Sequence, residues 1–259
     1  MSDTYRQYPD DSSSSVYQHY YHKNINQTVQ LVQSKIDQYI KRPKRSMRLQ
    51  DVLATMNDYK DPSDPDTDGD NLTHAYQTAE RIRKDHPNDE WFQLVGLIHD
   101  AGKMLYTRGE PDWCVVGDTF PVGCQFSEHC LYSQFFRKNP DYGKYDTIGI
   151  YSPECGLDKL NMTWGHDEYL YRVLIDNKDL HTFPPLGARI IRYHSFYPLH
   201  RHGAYSEFLN DDDMELLPWL QKFSSYDLYS KHDHFVLTPE IKTYYDDLLN
   251  KYFPVPLLW

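Results

Sequence analysis

The chain has 259 residues, enough to bury a full core as one large domain or two small ones. Its 38 acidic and 27 basic residues give a formal charge of −11, which argues against a nucleic-acid or anionic-membrane surface. There is no apolar run of membrane length, no export signal at the start and no C-x-x-C pair among the 4 cysteines, so we expect a cytoplasmic protein with reduced thiols.

Residues 1–23 are polar, Ser-rich and Tyr-rich, and composition alone predicts a mobile tail there, with the folded domain spanning 24–259. From Asn26 the pattern turns helical, with Val29, Val32, Ile36 and Tyr39 at spacings of three and four residues and Pro43 as the stop. A shorter helix is expected over 46–56, followed by an acidic, Pro-rich loop from Asp58 to Asp70. Asn71 reads as the N-cap of a helix running to His86, and Asp89 to Leu105 as the next helix, with Trp91, Leu94, Val95 and Ile98 on its inner face. Residues 106–165 are rich in Gly, Pro and aromatics and read as loops, with Cys114 to Val116 the best strand candidate. Helical spacing resumes over 166–177, 185–197, 211–229 and 239–252. The expected fold is therefore all-α, a single helical domain with long loops and little or no strand.

The most informative residues are His99 and Asp100. Adjacent His and Asp side chains place an imidazole nitrogen and a two-oxygen carboxylate at one point, which suits a divalent metal and leaves an oxygen to bridge to a second. On a continuous helix Gly96, His99 and Lys103 share a stripe. Gly96 then clears space for a metal or for another helix. Lys103 either reaches a ligand on the metal or lies along the surface with its ammonium in water. His74, one helix earlier, and Asp227, on a later one, complete the order H…HD…D. His166 and His194 lie among aromatics, where each is either a hydrogen-bonded core histidine or a further metal ligand. With both included, the set is four His and two Asp, a nitrogen-and-oxygen donor set suited to two iron or manganese ions. The run Asp64-Pro65-Asp66-Thr67-Asp68-Gly69 imitates the start of a calcium loop, but its twelfth position is Ala75 where a bidentate Glu is needed.

Several longer words carry a resemblance. The runs 71–80 (NLTHAYQTAE), 91–103 (WFQLVGLIHDAGK), 117–124 (GDTFPVGC), 164–169 (WGHDEY), 192–198 (RYHSFYP) and 227–229 (DLY) resemble the myo-inositol oxygenase family, and the similarity continues to Trp259. The resemblance implies an HD-type helical fold with a mixed-valent Fe(II)/Fe(III) pair. His74, His99 and Asp227 would bind one iron, His166 and His194 the other, and Asp100 would bridge them. It implies substrate contacts at Arg6, Asp61, Pro62, Ser63, Asp64, Lys103, Gly117, Asp118, His194, Ser195 and Lys231. Pro62 stands where an acidic residue is more familiar in the family. Residues 1–23 would then act as an active-site lid. The implied reaction, in inositol catabolism, takes myo-inositol and O2 to D-glucuronate by four-electron cleavage of the C1–C6 bond. Lys103, Asp100 and His194 would be the catalytic residues. One O2 accepts all four electrons, and no glycine-rich dinucleotide motif is present, so no organic cofactor is called for. A neutral polyol is the expected partner of a monomer that binds neither nucleic acid nor membrane. An HD-type phosphohydrolase or a non-catalytic metal-stabilised helical protein would use the same H…HD…D set.

Overall fold

The computed structural model describes residues 11–41, 45–59, 61, 70–229 and 235–259. Among the described residues there are ten α-helices: α1 (Ser15–Asn26), α2 (Val29–Tyr39), α3 (Leu49–Ala54), α4 (Asn71–Asp85), α5 (Glu90–Ile98), α6 (His166–Asp176), α7 (Pro185–Tyr193), α8 (Tyr197–His202), α9 (Asp211–Tyr229) and α10 (Pro239–Tyr252). Strand is confined, among the described residues, to two antiparallel ladders. In one, β1 (Ser46–Met47) pairs with β4 (Leu257–Leu258); in the other, β2 (Pro121–Val122) pairs with β3 (Asn161–Met162). The chain is all-α, as expected. None of its described helices is long and apolar enough to cross a membrane.

Local chemistry sets the helix boundaries. Thr28 caps α2 by accepting from the Leu31 amide at 3.1 Å, and Asp70 caps α4 by accepting from Thr73 at 2.7 Å. The α4 cap is thus Asp70, one residue before the expected Asn71. Asn71 is already helical, and its side-chain amide instead donates to the Met56 and Tyr59 carbonyls. Two helices expected as continuous are broken, and both breaks fall at His residues of the candidate site. The first, expected over 89–105, ends at Ile98 and gives way to a 3-10 segment over Ala101–Arg108. The second, expected over 185–197, ends at Tyr193 and restarts as α8 after Phe196, whose ψ of 55° is not helical.

Two further expectations need correction. The strand candidate Cys114–Val116 follows a 3-10 turn over Asp112–Cys114, and short ladder pairing falls at β2 instead. The polar segment expected as a tail to residue 23 is helical from Ser15 onward and packed. Val16 and Tyr20 meet Tyr132 and Phe135 in a small apolar cluster. Asn24 donates to the Leu131 and Tyr132 carbonyls, and Gln27 bonds both the amide and the carbonyl of Trp164. Tyrosine rings and amide side chains have replaced aliphatic residues in this packing, which is why hydropathy read the helix as tail.

The main core is one contiguous cluster running from Val32 to Trp259. α4 and α5 form its tightest helix pair. A Cβ at Gly96 would stand 2.9 Å from the Ala79 Cα and backbone nitrogen, so the space cleared by Gly96 is taken by the α4 backbone and not by a metal. That close approach sets His74 on α4 against His99 at the end of α5, with ring centroids 5.5 Å apart.

Candidate metal centre

Five segments converge on one buried point. His74 comes from the first turn of α4, His99 and Asp100 from the α5 break, His166 from the first position of α6, His194 from the end of α7, and Asp227 from the last turns of α9. Their ligand atoms form two overlapping groups, His74/His99/Asp100 and Asp100/His166/His194, each with its members within 4.8 Å of one another. Asp100 belongs to both. Asp227 Oδ1 closes the first group, 2.9 Å from His74 Nε2 and 3.5 Å from His99 Nε2. On the other side, Asp100 Oδ1 lies 3.2 Å from His166 Nε2 and 3.9 Å from His194 Nε2.

Three of the imidazoles are oriented by their own backbone surroundings. His99 Nδ1 donates to Gly96 O at 2.8 Å, His166 Nδ1 to Val115 O at 2.7 Å, and His194 Nδ1 to Ile191 O at 2.7 Å. A hydrogen-bonded Nδ1–H fixes the tautomer and leaves the Nε2 lone pair toward the centre, the arrangement found around metal-bound imidazoles. These are not ordinary core histidines: the Nε2 atoms of His166 and His194 face each other at 3.3 Å. His99 and His194 close their helices with φ and ψ still right-handed helical, and from there each Nδ1 reaches the carbonyl three residues back.

Two carboxylates and several imidazoles packed this densely require positive charge. Burial alone would raise the Asp100 carboxyl, yet Lys103, His99 and His166 hold it well below the usual carboxylate range. Asp227 behaves alike: burial opposes its charge, and hydrogen bonds with His74 and His99 hold it well below that range. Burial would also lower His166, but the Asp167 and Asp100 carboxylates push it up to about 10. The donor set is imidazole and carboxylate with no thiolate, which fits a first-row divalent metal such as iron or manganese.

Lys103 is the nearest described ammonium. It sits 2.9 Å from Asp100 Oδ2 and 3.0 Å from Asp61 Oδ2 and is 8% exposed, which removes the surface-lysine reading. The 3-10 geometry explains the first contact, because residues three apart eclipse there, so Lys103 stands over Asp100 and not over His99. Burial opposes its charge, but the Asp100 and Asp61 carboxylates hold it above the ordinary lysine range.

Of the other expected substrate contacts, Gly117 and Asp118 are tied to Ser195 through the next residue, Thr119. Thr119 donates to the Ser195 carbonyl at 2.9 Å, and Ser195 Oγ reaches Asp167 Oδ1 at 3.4 Å. Gly117 has φ +92°, a left-handed conformation suited to glycine. Arg6, Pro62, Ser63, Asp64 and Lys231 lie outside the described residues.

Sequence reasoning missed three participants. Asp167 is fully buried, with Oδ1 2.9 Å from both His166 Nε2 and His194 Nδ1. A signal for it existed, since His166-Asp167 repeats the His99-Asp100 dipeptide. Tyr20 donates to Asp118 Oδ1 at 2.9 Å, and Lys23, wholly buried, donates to Val116 O at 2.9 Å. Nothing in a polar N-terminal stretch marks those two.

Comparison with known proteins points to a family. A family model described as myo-inositol oxygenase matches residues 13–259. A protein of Oryza sativa subsp. japonica named probable inositol oxygenase is 46% identical, covering 100% of this chain and 86% of its own length. Inositol oxygenase 1 of Arabidopsis thaliana is 45% identical, covering 99% and 84%. The Danio rerio inositol oxygenase is 44% identical, covering 96% and 90%.

Proposed function

Because the chain belongs to the myo-inositol oxygenase family, we propose that it cleaves the C1–C6 bond of myo-inositol with O2, giving D-glucuronate at a di-iron centre. The reaction balances without an organic cofactor: C6H12O6 and O2 give C6H10O7 and one H2O. The observation that carries this reading is the set of three imidazoles, each locked through Nδ1 to a backbone carbonyl, around a carboxylate shared between two ligand groups. His74, His99 and Asp227 would hold one iron, His166 and His194 the other, and Asp100 would bridge them. When bound, the mixed-valent pair supplies Lewis acidity and a site for O2.

The protein's own groups do the rest. Lys103 places an ammonium beside the bridging carboxylate, where it stabilises a substrate oxygen that gives up its proton. Asp61, held by Lys103, and Asp118, held by Tyr20, offer acceptors to ring hydroxyls; with Gly117 and Ser195 they fix the orientation of a substrate that carries no charge to grip. Ser195 and His194 are adjacent, so substrate and metal contacts share one backbone segment. Arg6, Pro62, Ser63, Asp64 and Lys231 complete the proposed contacts, with residues 1–23 acting as a lid anchored by α1. We place the protein in the cytoplasm as a monomer.

The test is oxygen uptake by the purified, iron-loaded protein with myo-inositol, with the carbon product identified by mass spectrometry. One O2 consumed per glucuronate is expected. No uptake from a preparation shown to contain the mixed-valent pair refutes the substrate assignment and turns attention to phosphoesters.

A further inference from the structure

We propose that His19, on α1, is a further hydroxyl-binding residue of the inositol chamber; the inference rests on the reading above. The side chain is 6% exposed, yet neither Nδ1 nor Nε2 makes a hydrogen bond of ordinary geometry; the Val116 carbonyl lies near the ring but already accepts from Lys23. Buried polar atoms are nearly always paired, because an unmet donor or acceptor keeps its full desolvation cost. A ring with both nitrogens open indicates a partner that arrives from outside the chain.

Its neighbours identify that partner. The ring lies against the Gly117 backbone, where a Cβ would stand 2.8 Å from His19 Nε2. It meets Tyr20 edge-on at 5.2 Å, and Tyr20 holds Asp118. Asp61 is near enough to favour a charge on His19, and Asp61 is itself paired with Lys103. His19 therefore packs on Gly117 and lies within electrostatic reach of Asp61, with Lys103 and Asp118 each one residue further on, through Asp61 and Tyr20. One turn along α1, Lys23 packs its Cδ on the same glycine, but its ammonium is engaged with the Val116 carbonyl.

The chemistry matches a polyol. Burial, and then the Lys23 cation, push the His19 imidazole down to about 4, so it is uncharged near neutrality and carries one N–H and one lone pair. The Asp61 and Asp118 carboxylates only accept, and Lys103 only donates. His19 can do either, which suits a hydroxyl whose proton is not already committed. It would therefore discriminate among inositol isomers by the position of that hydroxyl.

The experiment measures myo-inositol binding by calorimetry on the iron-loaded protein without O2, for the unmodified chain and for His19→Phe, His19→Leu and His19→Gln. Both nitrogen-free variants should bind about tenfold more weakly, the worth of one hydrogen bond. In turnover KM should rise by a similar factor, with kcat changed less than about twofold. His19→Gln, which keeps a donor and an acceptor, should recover most of the affinity. Binding by either nitrogen-free variant as tight as that of the unmodified chain overturns the assignment of His19 and leaves the family reading standing. If the unmodified chain itself binds no myo-inositol, both readings fail.

Discussion

Gly102 is where one methyl group should do the most damage to the centre. A Cβ there would meet the His166 carbonyl oxygen at 2.1 Å, its carbonyl carbon at 2.8 Å and its Cα at 2.9 Å. All three are backbone atoms, so no side chain can swing aside, and ordinary contact requires the strands of chain to separate by roughly 1 Å. The His166 backbone is itself pinned, its amide donating to Val115 O at 2.8 Å and its Nδ1 to the same oxygen. Overpacking of this kind costs about 3 kcal/mol, and the gain from replacing glycine in a helical segment returns less than about 1 kcal/mol. For a chain of this size Gly102→Ala should lower Tm by roughly 5–10 °C. Since the displaced residue is His166, the variant should also lose the ion held by His166 and His194 while keeping the one held by His74, His99 and Asp227. Gly109→Ala is the control: Gly109 has φ +82° and nothing within 4 Å of a Cβ, so it tests backbone strain without collision and should keep full metal. Thermal unfolding by circular dichroism, with iron counted on the same samples, reads both effects. A Gly102→Ala protein with unchanged Tm and two irons refutes the reasoning.

Asp100→Ala should lose both irons, because both ligand groups share that carboxylate; two irons retained through dialysis against a chelator would contradict the bridging role. Lys103→Ala should keep the irons and lose about a hundredfold in kcat/KM, and a near-normal rate would remove Lys103 from the chemistry. Stability should also depend on pH through His19, whose value falls from 6.5 when exposed to about 4 when folded. Between those values the unfolded chain binds the extra proton, so this contribution is complete above pH 6.5 and is lost as pH falls through 4. It amounts to about 3 kcal/mol. Urea unfolding from pH 7 to pH 4 should show a shallower decline for His19→Phe than for the unmodified chain, and parallel curves would count against a neutral buried imidazole.

Strong periodicity made much of the fold legible. α9 and α10 fall where apolar spacing puts them, and α4 differs from expectation only in its cap. The misreadings have a common cause. α1 buries Tyr20, His19, Lys23 and Asn24, residues that hydropathy counts as solvent-facing, and its partners lie about a hundred positions away. The breaks after Ile98 and Tyr193 were invisible because the apolar pattern runs on through them, with His99 and His194 themselves still helical in φ and ψ. Residue identity at the centre was legible through the His-Asp dipeptide and the long words around it. The supporting contacts were not: which carbonyl orients which imidazole depends on where each helix stops.

His74 and Asp227, which touch at 2.9 Å, are 153 residues apart along the chain. A ligand set spaced over a dozen residues can gather an ion while the polypeptide is still disordered, and the ion then directs the fold. Here the loops to be closed are long, and their closure entropy would have to be met before the first imidazole met the last carboxylate. On the proposed ligand set, an ion would find little foothold on the nascent chain and would enter a body that has already folded, so its capture would be a late maturation event separable in time from synthesis. A freshly made population should then pass through a compact, metal-poor stage whose duration is governed by metal supply and not by folding rate.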